Sequence, residues 1–506
     1  MSVPGRLLTD RWRTADGGRA VFEGAFGASK KLVMHEDEAA ARLVAIHALL
    51  TDRGISSGMR VGVLSNHRVE TYLAVLATVS TGATFVPLNP KFPAERLRTI
   101  VSLAEPSIVL GDVTTQGVHA AVVGGVPFID VADVAPQPHR ADEWSDMIGA
   151  SQVTADDTAY LMFTSGSTGT PKGVPISFGN LLAYVDGITD VLELPSGLRF
   201  SQFFDLSFDL SMHDIFVSTR MRGTLVAPGQ VDLMMPGAYV ARERIDAWFS
   251  VPLLGAQLGG AKRKDDFSGF GSMLFCGEAL PMETVVACRP WLAPGGRMWN
   301  LYGPTEATIA FTAADVTESP RTDGNASIGH PFGVNRTALL KPDGSIVDSP
   351  SIDDEGELLL GGPQVFGGYS TDAPSPFVSQ GESVYYRSGD LVRIDGEGVY
   401  FRGRVDSQVK FRGYRIELGE IETVARRAFG LKTLAVVVVG DGADARLVLF
   451  HLAAEVDGGT VPDLRVLEST LPNYMIPTVS VALDSMPTNA NGKIDRRALA
   501  ALGDGR

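Results

Sequence analysis

Cysteine is nearly absent from this 506-residue chain: only Cys276 and Cys288 occur. Two are far too few for a disulfide framework, so a reducing, cytoplasmic setting is the expectation. Cations are also in deficit, with 44 Lys and Arg against 59 Asp and Glu and a net charge of −15. Attraction to nucleic acid or anionic membranes comes from Lys and Arg neutralising phosphates, so neither partner is expected. Any anionic ligand must meet a locally positive pocket. The N-terminus, MSVPGRLLTDRWRTADGG, lacks an apolar stretch of signal-peptide length. Residues 71–90 carry no charge, but Thr, Ser, Gly, Pro and Asn interrupt them, and they read as a buried helix, turn and strand instead of a membrane span. The glycosylation-like triplets at Asn325 and Asn335 would matter only in a secreted protein. No repeat or low-complexity tract appears, which excludes a solenoid.

What the chain has is apolar material, 44% of residues against 20% charged, in a length beyond the roughly 250–300 residues at which single cores stop growing. Two or more domains follow. From Arg60 the pattern runs strand (VGVLS), helix (RVETYLAVLATV), strand (TFVPL), helix (PAERLRTIVSLA), strand (SIVLG), an alternation that predicts a parallel, doubly wound sheet. A similar order recurs at 274–301. After GRVD at 403–406 the texture changes to a smaller unit with a helix (ELGEIETVARRAF), apolar strands (TLAVVVVG, RLVLFHL), a further helix (DLRVLESTL) and a loop-rich tail. The reading is an α/β protein with a large domain at 1–405 and a small α+β domain at 406–506.

YLMFTSGSTGTPKG at 160–173 runs an apolar strand straight into a loop of Gly, Ser and Thr with one Lys. Gly166, Gly169 and Gly173 permit close backbone approach, Thr164, Ser165, Ser167 and Thr168 offer hydroxyls, and Lys172 supplies positive charge, which is what a phosphate needs. The helix beginning near Ser177 then has an N-cap. A flexible surface loop has similar composition, but not the uncharged strand feeding it. The spacing differs from the P-loop NTPase pattern, in which Gly-Lys-Ser/Thr opens the helix.

This segment resembles the signature of the acyl-adenylate-forming superfamily, which holds acyl-CoA synthetases, luciferases and the adenylation domains of nonribosomal peptide synthetases. Further segments fall in that family's order between about residues 60 and 499. In NLYGPTEATIA (300–310) the resemblance implies that Tyr302 packs on adenine, Thr305 meets the α-phosphate of ATP and Glu306 holds Mg²⁺. In YRSGDL (386–391), Asp390 would accept both ribose hydroxyls. In FRGRVDSQVKFRGYRIELGEIE (401–422), Arg404 would approach ribose or phosphate, Asp406 would be the hinge of a mobile C-terminal domain, and Gly413 and Arg415 would face a pantetheine arm. In NGKIDRRAL (491–499), Lys493 resembles the catalytic lysine that stabilises charge in the transition state.

FFDLSFDLSMHDIF at 203–216 resembles the pocket motif of amino-acid adenylation domains, where an Asp, here Asp209, pairs with the substrate ammonium. The same Asp would also suit a helix N-cap. Carrying the pocket across adds Leu210, His213, Ser250, Leu274, Cys276, Leu301, Ile309 and Ala310, with Lys493 above the carboxylate. His213 fits either a substrate contact or a buried core histidine. The expected substrate is a small neutral amino acid: aminobutyrate, alanine, valine, cysteine or proline, the last because the segment resembles free-standing prolyl-AMP ligases. No carrier segment is found before Arg506, so the expected acceptor is the phosphopantetheine of a separate carrier protein in secondary metabolism. Two other readings stand beside this one: an acyl- or aryl-CoA synthetase using free CoA, and a catalytically silent binding protein of the same fold.

Overall fold

The computed structural model describes residues 3–8, 19–26, 29–65, 67–137, 144, 148, 152–166, 171–263, 267–319, 321, 323–396, 398–440, 442–456, 462–488 and 494–504. The alternation after Arg60 forms as expected: strands Arg60–Leu64, Thr84–Leu88 and Ile108–Gly111 pair in parallel, with helices Val69–Ser80 and Ala94–Ala104 between them in sequence. With Phe128–Asp130, Thr158–Thr164 and Lys172–Ser177 they make a six-stranded sheet, parallel except for the last pair. A nine-stranded sheet holds Leu292–Tyr302, Phe270–Phe275, Ala247–Ser250, Arg199–Ser201 and Thr224–Val226 as parallel neighbours. Helix Val69–Ser80 touches strands of both sheets and every one of its residues is buried. That position suits a mostly apolar helix, with its one charged residue, Glu70, paired to Arg68 at 3.0 Å.

The helix expected near Ser177 forms, but Lys172–Ser177 first turns back antiparallel to Thr158–Thr164, with Val174 and Ile176 buried on one side of an edge strand. Only then does Ser177 cap helix Phe178–Leu192, in a reciprocal bond with Asn180. Residues 336–404 form a separate sheet whose pairings are all antiparallel, which the parallel reading of the large unit did not foresee. DLRVLESTL is a short 3-10 segment, Leu464–Ser469, confined between Pro462 and Pro472.

The smaller C-terminal domain has its own core, in which Ile416, Leu418, Ile421, Leu434 and Leu447 pack together. It comprises the hairpin Gln408–Phe411 and Tyr414–Glu417, helix Leu418–Phe429, and a sheet of Leu434–Val439, Arg446–Leu452 and Val479–Leu483. The hairpin reaches into the large unit, and a buried ion pair joins the two: Arg96 Nη1 lies 2.7 Å from Glu420 Oε1. Removing one partner of such a pair costs about 3–5 kcal/mol, because the other charge stays buried.

Candidate active site

Strand Thr158–Thr164 delivers Thr164 and Ser165 to a slender cavity of about 110 Å³, which Asp209, Thr305, Asp390, Arg404 and the hairpin also line. Gly166 follows directly, and Lys172 is the register partner of Thr164 on the returning strand. Ser167, Thr168, Gly169 and Lys493 lie outside the described residues. Gly173 lies close against Ser370, whose Oγ would stand 2.2 Å from a Cβ at this position.

The antiparallel sheet supplies an acidic and basic cluster. Asp390, on Ser383–Asp395, is the register partner of Arg404 on Gly398–Arg404, so the two side chains share a face and form an ion pair. Tyr302 donates its hydroxyl to Asp390 Oδ2 at 2.6 Å. Arg404 also holds Asp406 through Nε and Nη2, at 2.7 and 2.8 Å. Burial alone would raise the Asp406 carboxyl; Arg404 brings it below its ordinary value. Beside this cluster a second cavity of about 370 Å³ is lined by Asn300, Tyr302, Glu278, Ala279, Phe401 and Gly403 among others. Asn300 donates to Ser327 O at 2.8 Å, while its buried Oδ1 has no hydrogen-bond partner. Sequence reasoning missed Asn300. The signal was its spacing: two residues before Tyr302 on a strand places both on one face.

Glu306 is buried, with Arg415 Nη1 on Oε2 at 2.7 Å and the Tyr369 hydroxyl on Oε1 at 2.8 Å. Burial would raise its pKa, but Arg415, a backbone N–H and the Tyr369 hydroxyl together outweigh that and lower it. Among the described residues no group of three or more His, Cys, Asp or Glu is placed to hold a metal. One hard carboxylate remains, which suits Mg²⁺ shared with substrate phosphates.

Asp209, Leu210, Cys276 and Ile309 line the same cavity from the apolar side. Asp209 stands at the N-terminus of helix Leu210–Arg220 but makes no side-chain cap bond. Its Oδ2 is buried and without a partner, and burial, only partly offset by the Thr305 hydroxyl and backbone N–H groups, pushes its pKa up to about 7. Leu274, Leu301, Ala310, Ser250 and His213 are buried in the surrounding core and do not line this cavity. His213 bonds the Tyr184 hydroxyl through Nδ1 at 2.7 Å, with its ring 4.6 Å from that of Phe249, and burial lowers its pKa to about 3. Of its two readings, the hydrogen-bonded core histidine is the one this geometry matches. Ser250 accepts from Trp248 Nε1 at 2.8 Å and donates to Val251 O at 2.9 Å. Burial pushes both cysteine thiols up to about 12, so neither is an activated nucleophile. Thr308 and Ile309 adopt φ of +58° and +70°, a strained pair pinned by Gln364, whose Nε2 donates to Ala310 O at 2.7 Å. Gln364 too went unread in the sequence.

The hairpin closes the cleft. Gly413 N–H donates to Glu278 Oε1 at 2.7 Å. Its φ of +82° and the 2.5 Å that would separate a Cβ from Val251 Cγ1 leave room for glycine only. Tyr414 stacks on Tyr474 at 3.7 Å and meets Phe208 edge-on at 4.7 Å, so the cavity ends in an aromatic mouth.

Residues 35–370 match the AMP-binding enzyme family. The L-proline–[L-prolyl-carrier protein] ligase of Streptomyces coelicolor is 33% identical over 488 residues, covering 91% of each chain. The ligase of the same name from Pseudomonas fluorescens is 33% identical over 469 residues, 90% of this chain and 92% of that one. Among solved structures, the Vibrio cholerae adenylation domain AlmE, in complex with glycyl-adenosine-5'-phosphate, superposes with a TM-score of 0.87 at 25% identity, over 99% of this chain and 97% of that one. Among the described residues, no helix is long and apolar enough to cross a membrane. The chain belongs to the AMP-binding enzyme family and is an adenylating ligase.

Proposed function

We propose that this ligase joins a small neutral amino acid to ATP, forming aminoacyl-AMP and pyrophosphate, and then passes the aminoacyl group to the phosphopantetheine thiol of a separate carrier protein. The observation that carries the amino-acid assignment is the bare Asp209 Oδ2: a buried carboxylate oxygen left without a partner is costly, and a substrate ammonium would supply the missing one. A fatty or aryl acid would leave it unpaired, so the free-CoA reading is disfavoured. The prolyl ligases among the relatives put proline first among the candidates, and its secondary ammonium meets the same need.

In this reading the substrate carboxylate oxygen attacks the α-phosphorus and the bond to pyrophosphate breaks. Thr164, Ser165, Gly166, Ser167, Thr168, Gly169 and Lys172 hold the phosphates, Thr305 the α-phosphate, and Asp390 the ribose, with Arg404 beside it. Tyr302 and Asn300 frame the adenine, Asn300 Oδ1 being free to accept from an exocyclic amine. Lys493 balances charge as the carboxylate attacks. Glu306 would hold Mg²⁺, which when bound neutralises charge on the leaving phosphates. The small domain is taken as 406–506 and the large as 1–405, with Asp406 as hinge. Gly413 and Arg415 then border the path of the pantetheine thiol, whose sulfur attacks the acyl carbon and releases AMP. The test is amino-acid-dependent ATP–pyrophosphate exchange over the proteinogenic set, aminobutyrate, and several β-amino and aryl acids, followed by acylation of a phosphopantetheinylated carrier. Exchange with one small amino acid is expected. Exchange only with a non-amino acid would move the chain to the acyl or aryl ligases.

A further inference from the structure

Three groups assigned above to the MgATP phosphates are each engaged by the C-terminal hairpin. Ser165 Oγ donates to the Arg415 carbonyl at 3.1 Å. Lys172 Nζ stands 4.0 Å from Glu417 Oε1. Glu306 receives the Arg415 guanidinium at 2.7 Å. Each partner matches in kind what the reaction would place there: an oxygen acceptor for Ser165, an anion for Lys172, a cation for Glu306. The two hairpin charges are held as a unit, since Gln408 accepts from Arg415 Nε at 2.8 Å and donates through Nε2 to Glu417, its cross-strand partner. Gln408 is itself buried, so the spacing of the plus and minus ends is fixed before docking.

We infer that Arg415 and Glu417 are ionic stand-ins for the magnesium ion and the pyrophosphate, so that hairpin docking and magnesium pyrophosphate compete for the same side chains. The inference rests on the functional reading above and adds these two positioning roles. While magnesium pyrophosphate is present, Lys172 and Glu306 are taken and the hairpin has no counter-charges to meet. When it leaves, both groups would be stranded in a poorly solvated cleft, and the hairpin restores their balance. Because coupling is reciprocal, docking weakens pyrophosphate binding by the same factor by which pyrophosphate weakens docking. The device biases the enzyme toward the thiol-accepting arrangement once the first product has gone.

The experiment follows interdomain distance, not turnover. Both native cysteines are buried, so Val334→Cys and Val466→Cys, at positions 80% and 51% exposed, accept a donor and acceptor dye on the large and small domains. In the otherwise wild-type chain, titrating magnesium pyrophosphate in the presence of AMP should shift energy transfer away from the docked value. Arg415→Gln and Glu417→Gln should each lower the docked-to-undocked ratio about tenfold without pyrophosphate, the equivalent of one modest ionic contact. Arg415→Lys should recover part of the loss. Energy transfer that ignores magnesium pyrophosphate, or two variants that dock like the parent, would overturn the inference. Pyrophosphate exchange on the same samples separates this from the function itself: exchange with unchanged energy transfer sinks only the stand-in roles, whereas no exchange with any acid sinks the functional reading.

Discussion

At the nucleotide end of the cleft, Asp390 accepts from Tyr302 and pairs with Arg404, and Glu306 is held between Tyr369 and Arg415. At the amino-acid end, Asp209 keeps one buried oxygen bare and its pKa rises to about 7. With the hairpin docked, the charges at the first end are balanced without a ligand; the second is left short by one positive charge. A pre-balanced site holds its geometry without substrate, which suits a ligand common to every turnover. A deficient site is completed only by the right partner, which suits discrimination. Substitutions at the two ends should therefore fail in different ways.

The largest effect is expected at Asp390. Asp390→Ala removes the proposed ribose acceptor and leaves Arg404 with one fewer counter-charge in a buried site, so both ATP affinity and stability should fall. Adenylation should drop about 10³-fold, with ATP dependence most affected. An unchanged KM for ATP would break the assignment of this end to the nucleotide. Asp209→Asn should do the reverse: kcat/KM for the amino acid falls about 100-fold while ATP binding holds, and the fold gains stability. The sign follows from linkage. The unfolded carboxyl ionises near its ordinary value of 3.8 and the folded one near 7, so this group costs stability increasingly as pH rises between those values and the cost persists above 7. Thermal unfolding should show the Asn variant gaining on the parent toward pH 8. In the parent, kcat/KM for the amino acid should climb through about pH 7 as the carboxylate forms, and the Asn variant should lack that rise. A flat parent profile would end the claim that Asp209 meets an ammonium.

The same contrast explains what could be read from the sequence. The nucleotide end is made of short local segments whose residue types announce their chemistry: a Ser/Thr/Gly loop, Tyr302 and Glu306 four positions apart in one motif, Asp390 directly after Gly389. Its partnerships, however, join positions far apart in the chain. Arg415 on Glu306, Arg96 on Glu420 and Gln364 under Thr308 and Ile309 depend on how sheets and hairpin are stacked, which periodicity does not encode. The parallel strands from Arg60 to Gly111 were legible because hydrophobic alternation and turn residues agree locally. The antiparallel sheet of 336–404 was not, because its strands alternate less cleanly around charged residues such as Arg387 and Arg393. The apolar end was hardest to read: Leu274, Leu301 and Ala310 carry the same residue types whether they touch substrate or only one another.

Gly413 tests the boundary between the two ends, where the hairpin seals the cleft. Gly413→Ala asks alanine to hold φ of +82°, a cost of about 1–3 kcal/mol that belongs to the hairpin turn in either arrangement, and drives a Cβ into Val251, a clash that exists only while the hairpin is docked. Transfer to the carrier should therefore fall about tenfold more than pyrophosphate exchange. Equal losses in both half-reactions would mean that the docked hairpin serves adenylation as well.

The smallest effect separates pocket from core. His213 is neutral, faces Tyr184 and Phe249, and lies outside the cavity that Asp209 lines. Tyr184→Phe removes the hydroxyl from a fully buried pair and leaves His213 Nδ1 without its bond, at a cost of about 1–3 kcal/mol in stability. If the pair is packing, the melting temperature falls while KM for the amino acid stays within about threefold, since no group facing the cavity has changed. If His213 instead senses the substrate side chain, freeing its ring should change the ranking of amino acids in the exchange panel. Discrimination would then be shared between the bare carboxylate and a second polar group behind the apolar wall, and the amino-acid end would be less simple than one missing charge.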